Sequence, residues 1–166
     1  MLTLEVHTHM RAPRARCFDL ARSIDLHVRT AAGTGETAVA GVTHGLIGPG
    51  QEVTWRARHF GVWQELTSRI TAYTWPEHFR DEMVRGAFRS FVHDHTFTSE
   101  LGGTLMTDTC RFAAPFGPVG WAVERLVLGE YLRGLLVGRG QVIKRVAESD
   151  EWRSFLDAER SDDRDG

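Results

Sequence analysis

The stretch FVHDHTFTSELGGTLMTDTCRF, Phe91 to Phe112, decides how this chain folds. Phe91, His93, His95 and Phe97 alternate with Val92, Asp94, Thr96 and Thr98. After Gly102-Gly103, the residues Thr104, Met106, Asp108, Cys110 and Phe112 alternate with Leu105, Thr107, Thr109 and Arg111. A two-residue period marks a strand with one buried face. The glycine pair between the two runs is a hairpin signal. Two antiparallel strands are therefore expected, with their bulky apolar residues turned inward.

The same alternation continues upstream. Phe79, Asp81 and Met83 oppose Arg80 and Glu82; Leu66, Ser68, Ile70 and Ala72 oppose Glu65, Thr67, Arg69 and Thr71. Before them, Val53, Trp55, Ala57 and His59 oppose Glu52, Thr54, Arg56 and Arg58. Strands joined by short turns, with no helix between them, make an antiparallel meander. Thr37 to Val42 reads as a further short strand, and HGLIGPGQ (His44 to Gln51) as a turn or mobile loop. At the N-terminus, Leu2, Leu4, Val6 and Met10 alternate with Thr3, Glu5, His7 and His9. Pro13 then opens a short helix carrying Phe18, Leu20 and Ala21, and a second short helix covers Ile24 to Thr30. Downstream, Pro115, Gly117 and Pro118 stop the sheet, and a long helix follows from roughly Val119 to Ala147. Gly129, Gly134, Gly138 and Gly140 within it point to a bend or to something packed close.

The expected class is α+β: a curved antiparallel sheet wrapped around a long C-terminal helix, with two short helices after the first strand. One domain spans residues 1–148, and the charged tail 149–166 is expected to be disordered.

Composition narrows the function. The chain has 166 residues, 42% hydrophobic and 25% charged, with a formal net charge of −2. Such a balance supplies no basic stripe for nucleic acid. Arg11, Arg14 and Arg16 cluster, but Pro13 and Ala15 separate them, as in a solvated helix start. Lys144 is the single lysine, which argues against Schiff-base chemistry. No apolar run is long enough to insert stably in a membrane, and the N-terminus reads as a strand rather than a signal peptide. Cys17 and Cys110 make no disulfide framework, and both sit in apolar settings. Buried free thiols and a cytoplasmic location are expected.

In its order of elements the chain resembles the START/Bet v 1-like helix-grip superfamily (SRPBCC; polyketide cyclase/dehydrase and lipid-transport type), in particular its small bacterial members. The resemblance rests on FRDEMVRGAFRSFVHDHTF (Phe79 to Phe97) followed by GGTLMTDTCRFAAPFG (Gly102 to Gly117), and it covers about residues 1 to 148. It implies a helix laid across the concave face of the sheet, with a cavity between them. Cyclases, hydrolases, transfer proteins and ligand sensors share this architecture, so chemistry has to be argued from the site.

Strand parity puts His59, Asp81, His93, His95 and Asp108 on the apolar face. Buried polar groups need partners, so these side chains either satisfy one another or line a ligand cavity. His93, His95, Asp81 and Asp108 are the candidates for acid–base catalysis, because a histidine beside a carboxylate titrates near neutrality. Trp55, Met83, Phe91, Met106 and Trp121 join these residues as candidate ligand contacts. Trp63 is a further aromatic that could stack on a ligand. His93 and His95, two residues apart, could ligate a metal with His59 or Asp108. With no third ligand established, neither metal nor cofactor is expected. His7, His9 and His78 should be exposed; His44, in its loop, could sit at a cavity mouth, and His27 is left open.

The leading expectation is binding of a small hydrophobic or aromatic molecule in the central cavity. The alternative is an enzyme of polyketide cyclase/dehydratase type. A third possibility is an interaction protein whose cavity is filled by its own side chains. The oligomeric state is not legible.

Overall fold

A computed structural model of the chain describes residues 1–114 and 127–157. Its strands are β1 (Leu2–Met10), β2 (Thr37–Gly41), β3 (Glu52–His59), β4 (Val62–Thr74), β5 (His78–Arg85), β6 (Ser90–Glu100) and β7 (Gly103–Ala113). They form one antiparallel sheet in the order β1-β7-β6-β5-β4-β3-β2. The meander runs from β2 to β7, and β1 closes on β7, with Leu4 opposite Cys110 and Val6 opposite Asp108. The expected alternation holds along β7, where Thr104, Met106, Asp108, Cys110 and Phe112 are all buried.

Helix α1 (Arg14–Ala21) starts directly after Pro13, and α2 (Ile24–Thr30) is capped by Ser23, whose Oγ accepts from the Leu26 amide. Both lie near one end of the concave face. There Phe18, wholly buried, meets Tyr73, Phe79 and Phe97 edge-on, with ring centroids 5.4, 5.3 and 5.4 Å away. Helix α3 (Gly129–Ala147) packs along β1. A Cβ at Gly140 would collide with Thr8 Oγ1, so this glycine marks a close approach of helix to strand. The first part of the expected long helix, 119–126, lies outside the described residues.

The core falls into two clusters. One gathers Met10, Phe18, Leu26, Phe79, Phe97 and Met106 beneath α1 and α2. The other gathers Leu4, Val6, Cys110, Phe112 and Leu136 farther along the sheet.

Two expectations need correction. The chain turns on Leu101 and Gly102 rather than on the glycine pair, since Glu100 already pairs with Gly103. The tail expected to be disordered from residue 149 instead begins with a short helix, α4 (Trp152–Leu156). Its apolar residues explain this: Trp152, Phe155 and Leu156 pack on the first cluster, and the Arg16 guanidinium lies 4.3 Å from the centre of a Trp152 ring. Residues 158–166 of that tail lie outside the description.

The edges of the sheet are β1 and β2. β2 has only five residues, and its pairing with β3 is interrupted by a register shift between Ala38 and Ala40. β1 is overlaid by α3, from which Arg133 donates to the Glu5 carbonyl (3.3 Å) and Lys144 to the His9 carbonyl (2.6 Å). Among the described residues, no helix is long and apolar enough to cross a membrane.

Candidate functional site

Between the sheet and α3 lies a cavity of about 330 Å³. The helix contributes Tyr131, Leu132, Leu135, Leu136 and Arg139, and its cap residue Leu128 continues the same face at helical spacing. The strands contribute Trp55, Ala57, His59, Ser68, Asp81 and His93 among others. Phe88 and Phe91 close one side, their rings 5.5 Å apart.

Several polar groups of this wall are paired. His59 Nδ1 lies 2.7 Å from the Tyr131 hydroxyl. His27 stacks on Trp55, with centroids 4.1 Å apart, and its Nε2 lies 2.5 Å from Glu36 Oε1. Burial, helped by the charge on Arg139, holds the His27 pKa below its ordinary value against the pull of Glu36. Glu36 is itself depressed: burial raises it, but its bond to His27 and the charges of His27, His59 and Arg139 together outweigh that. Arg139 is anchored to the Ala21 carbonyl at 2.7 Å.

Asp81 and His93 of this wall belong, with His95 and Asp108 behind them, to the four groups considered for acid–base catalysis, held on three adjacent strands. Asp81 on β5 faces His93 on β6, and His95 on β6 faces Asp108 on β7. His93 Nε2 lies 3.1 Å from Asp108 Oδ1, and His95 Nε2 lies 3.1 Å from Asp81 Oδ2. His95 Nδ1 is only 2.6 Å from Asp108 Oδ1, yet it is not aligned for a hydrogen bond and has no other partner. The two imidazoles lie against each other, centroids 3.9 Å apart. Burial and the neighbouring His95 keep His93 below the ordinary histidine range. For His95 burial works the same way, but the charge and close approach of Asp108 and the bond to Asp81 together outweigh it, and its pKa is raised. Burial would raise both aspartates; hydrogen bonds and charge from the histidines hold them low instead.

The cavity divides the residues named from the sequence. Trp55, His59, Asp81, Phe91 and His93 line it. His95, Met83, Met106 and Asp108 do not. His95 is 1% exposed and stacked on Phe79 at 4.2 Å, Met106 is sealed in the first core cluster, and Asp108 is 2% exposed beneath the histidines. Met83 stands against Gly86. All four share the inward face, but parity gives the face and not the position along the strand. Phe18, Phe79, Phe97 and Met106 fill the sheet under α1, which covers His95 and Met106, and the cavity lies beyond them, reaching His27 and Thr30 of α2. Trp63 is 53% exposed and takes Arg56 over its ring, so it is not a cavity aromatic. Trp121 lies outside the described residues. His44 is exposed in its loop and does not line the cavity.

Asp94 occupies the other face, bonded to His78, Arg80 and Arg111, which brings its pKa down to about 2 despite the opposing effect of burial. His7 and His9 are exposed, whereas His78 is only half-buried because Asp94 engages it. Both cysteines are buried free thiols, and burial pushes Cys17 up to about 11.

His27, Glu36, Tyr131 and Arg139 were not singled out from the sequence. Tyr131 and Arg139 extend the helical period of Leu128, Leu132, Leu135 and Leu136, a signal that was available. No local pattern pairs His27 with Glu36; that depends on how α2 meets the turn before β2.

No family model and no curated protein matches the chain. Solved structures do. The TTHA0849 protein of Thermus thermophilus is 17% identical with a TM-score of 0.67, over 86% of this chain and 97% of that one. Ms6760 of Mycobacterium smegmatis is 22% identical with a TM-score of 0.64, over 87% and 90%. Major latex-like protein 151 of Panax ginseng is 14% identical with a TM-score of 0.62, over 89% and 98%. These likenesses establish the helix-grip fold that the sequence resemblance implied.

Proposed function

We propose that the chain binds a hydrophobic or amphipathic small molecule with an aromatic portion between the sheet and α3. The cavity carries this reading: about 330 Å³, walled mainly by aromatic and aliphatic side chains. That lies within the usual range of about 300–1,000 Å³ for ligand pockets, towards its small end. Polar groups converge on it at few points: the His27–Glu36 pair, the His59–Tyr131 pair, Asp81 with His93, and Arg139. Such an arrangement orients a mostly apolar ligand through one or two polar substituents.

The acid–base alternative, polyketide cyclase/dehydratase-like chemistry, is reduced by the geometry to Asp81 and His93. Only these two of the four candidate catalytic groups reach the cavity, with Asp81 Oδ2 and His93 Nδ1 3.9 Å apart.

Native mass spectrometry of the chain purified from its own source tests the binding reading. A retained organic molecule, released on denaturation, is expected. A bare chain that also takes up no hydrophobic fluorescent dye would overturn it. Turnover of the released molecule by the wild-type chain, lost in His93→Gln, would favour the enzyme.

A further inference from the structure

With both imidazoles neutral, the buried square of Asp81, His93, His95 and Asp108 has a donor arithmetic that its four members do not close; closing it without a further cation takes an extra proton, as in a His95 imidazolium set between the two carboxylates. A neutral imidazole offers one N–H and one lone pair, and an ionised carboxylate only accepts. Asp108 Oδ1 stands before a ring nitrogen of each histidine, His93 Nε2 at 3.1 Å and His95 Nδ1 at 2.6 Å. If each of those nitrogens gives its N–H to Asp108, the remaining lone pairs are on His93 Nδ1 and His95 Nε2. Both of these face Asp81 Oδ2, at 3.9 and 3.1 Å. Three acceptors then converge with no donor among them. If instead His95 gives its N–H to Asp81, its Nδ1 lone pair is pressed against Asp108 at 2.6 Å. That nitrogen is the one buried side-chain polar atom without a hydrogen bond among the described residues.

A cation between the three acceptors resolves this, and we propose that Asp81, His93 and His95 bind a divalent transition-metal ion of the zinc type. One ligand atom from each of the three lies within 4.8 Å of the others, and the nitrogens that face Asp81 Oδ2 are His93 Nδ1 at 3.9 Å and His95 Nε2 at 3.1 Å. Metal–ligand bonds of about 2.0–2.1 Å in tetrahedral geometry separate neighbouring donors by about 3.3 Å. The 3.1 and 3.9 Å edges to Asp81 bracket that spacing, and the third edge, between the two histidines, is no longer than 4.8 Å, so the ion would draw the three groups together by side-chain rotation. Asp108 is the outer carboxylate: it bonds His93 Nε2 and stands 2.6 Å from His95 Nδ1, where a turn of the ring would complete the usual support for metal-bound histidines. Two nitrogens and a carboxylate oxygen suit zinc, iron or cobalt better than calcium or magnesium. The ion's two charges also offset the two buried carboxylates, which are costly to bury uncompensated. His95 and Asp108 lie behind, while Asp81 and His93 border the cavity, so the fourth coordination position opens into it. The third ligand is thus Asp81, not the His59 or Asp108 considered from the sequence; His59 is engaged by Tyr131.

Two measurements on the full chain test this. Dialysis against Zn²⁺ with a competing chelator should leave one equivalent bound. Asp81→Asn should weaken it at least tenfold, and Asp108→Asn by about 10- to 100-fold. Replacing the exposed His7 and His9 together should change nothing. The second measurement uses only the wild-type chain, so it does not depend on a variant folding. Long-range ¹H–¹⁵N spectra should show Zn²⁺ ligation at Nδ1 of His93 and Nε2 of His95. Less than one equivalent retained, binding that survives Asp81→Asn, or rings unmoved by saturating Zn²⁺ would each overturn the proposal.

Discussion

Replacing Ala57 with isoleucine distinguishes an open cavity from one filled by its own side chains. Ala57 sits on β3, 4% exposed, opposite Gln64 on β4, and both residues line the cavity wall. Isoleucine suits a strand and adds three carbons aimed into the space. Each newly buried methylene stabilises by about 0.8 kcal/mol, so the ceiling is about 2.4 kcal/mol. Lost rotamer freedom removes about 0.5–1 kcal/mol of that. A net gain of about 1–2 kcal/mol is expected, read as a higher urea midpoint with an unchanged slope. The same variant should bind a hydrophobic dye, or the natural ligand, more weakly, because the space is partly filled. In a close-packed region the sign reverses, since overpacking costs about 1–3 kcal/mol. A lowered midpoint would therefore refute the open cavity, and with it the binding reading.

Two further outcomes follow from particular contacts. His27 is held neutral by burial, so below pH 6.5 the unfolded chain binds protons that the folded chain refuses. Its contribution to stability is complete above that pH and is lost as pH falls towards the depressed folded value. The urea midpoint should drop between pH 7.5 and 5.5 more steeply for the wild type than for His27→Gln; equal slopes would contradict the assignment. Gly140→Ala gains about 1 kcal/mol of helix propensity but collides with Thr8. It should lower thermal stability in the wild type and raise it in a Thr8→Ala background, and additive effects in that double-mutant cycle would rule out the contact.

Periodicity carried most of the fold. The strands around Phe91 and Met106 appear where their alternation places them, because a two-residue period with one apolar face has few other solutions. The hairpin register was less legible. Centring the turn on Gly102-Gly103 would have set Phe97 opposite Asp108, whereas the turn at Leu101-Gly102 brings His95 there. Gly103 is a glycine for another reason: a Cβ on it would strike the Met10 carbonyl where β1 ends. A shift of two residues preserves which face each side chain takes, so the polar cluster survived the misplaced turn. What parity could not supply was depth. Whether His95 lines a cavity or lies under Phe79 depends on where α1 lands, and that is settled by packing between residues far apart in the sequence.

The helix that roofs the cavity also guards the β1 edge. Arg133 and the single lysine occupy carbonyls that would otherwise offer a docking line to a foreign strand. At the opposite edge, β2 protects itself by being short and irregular. A chain that admitted its ligand by lifting α3 would therefore, for as long as the helix stayed away, present an open template for intermolecular β-pairing. Guest access by that route and resistance to aggregation are in direct competition, which favours entry at a rim that leaves α3 seated.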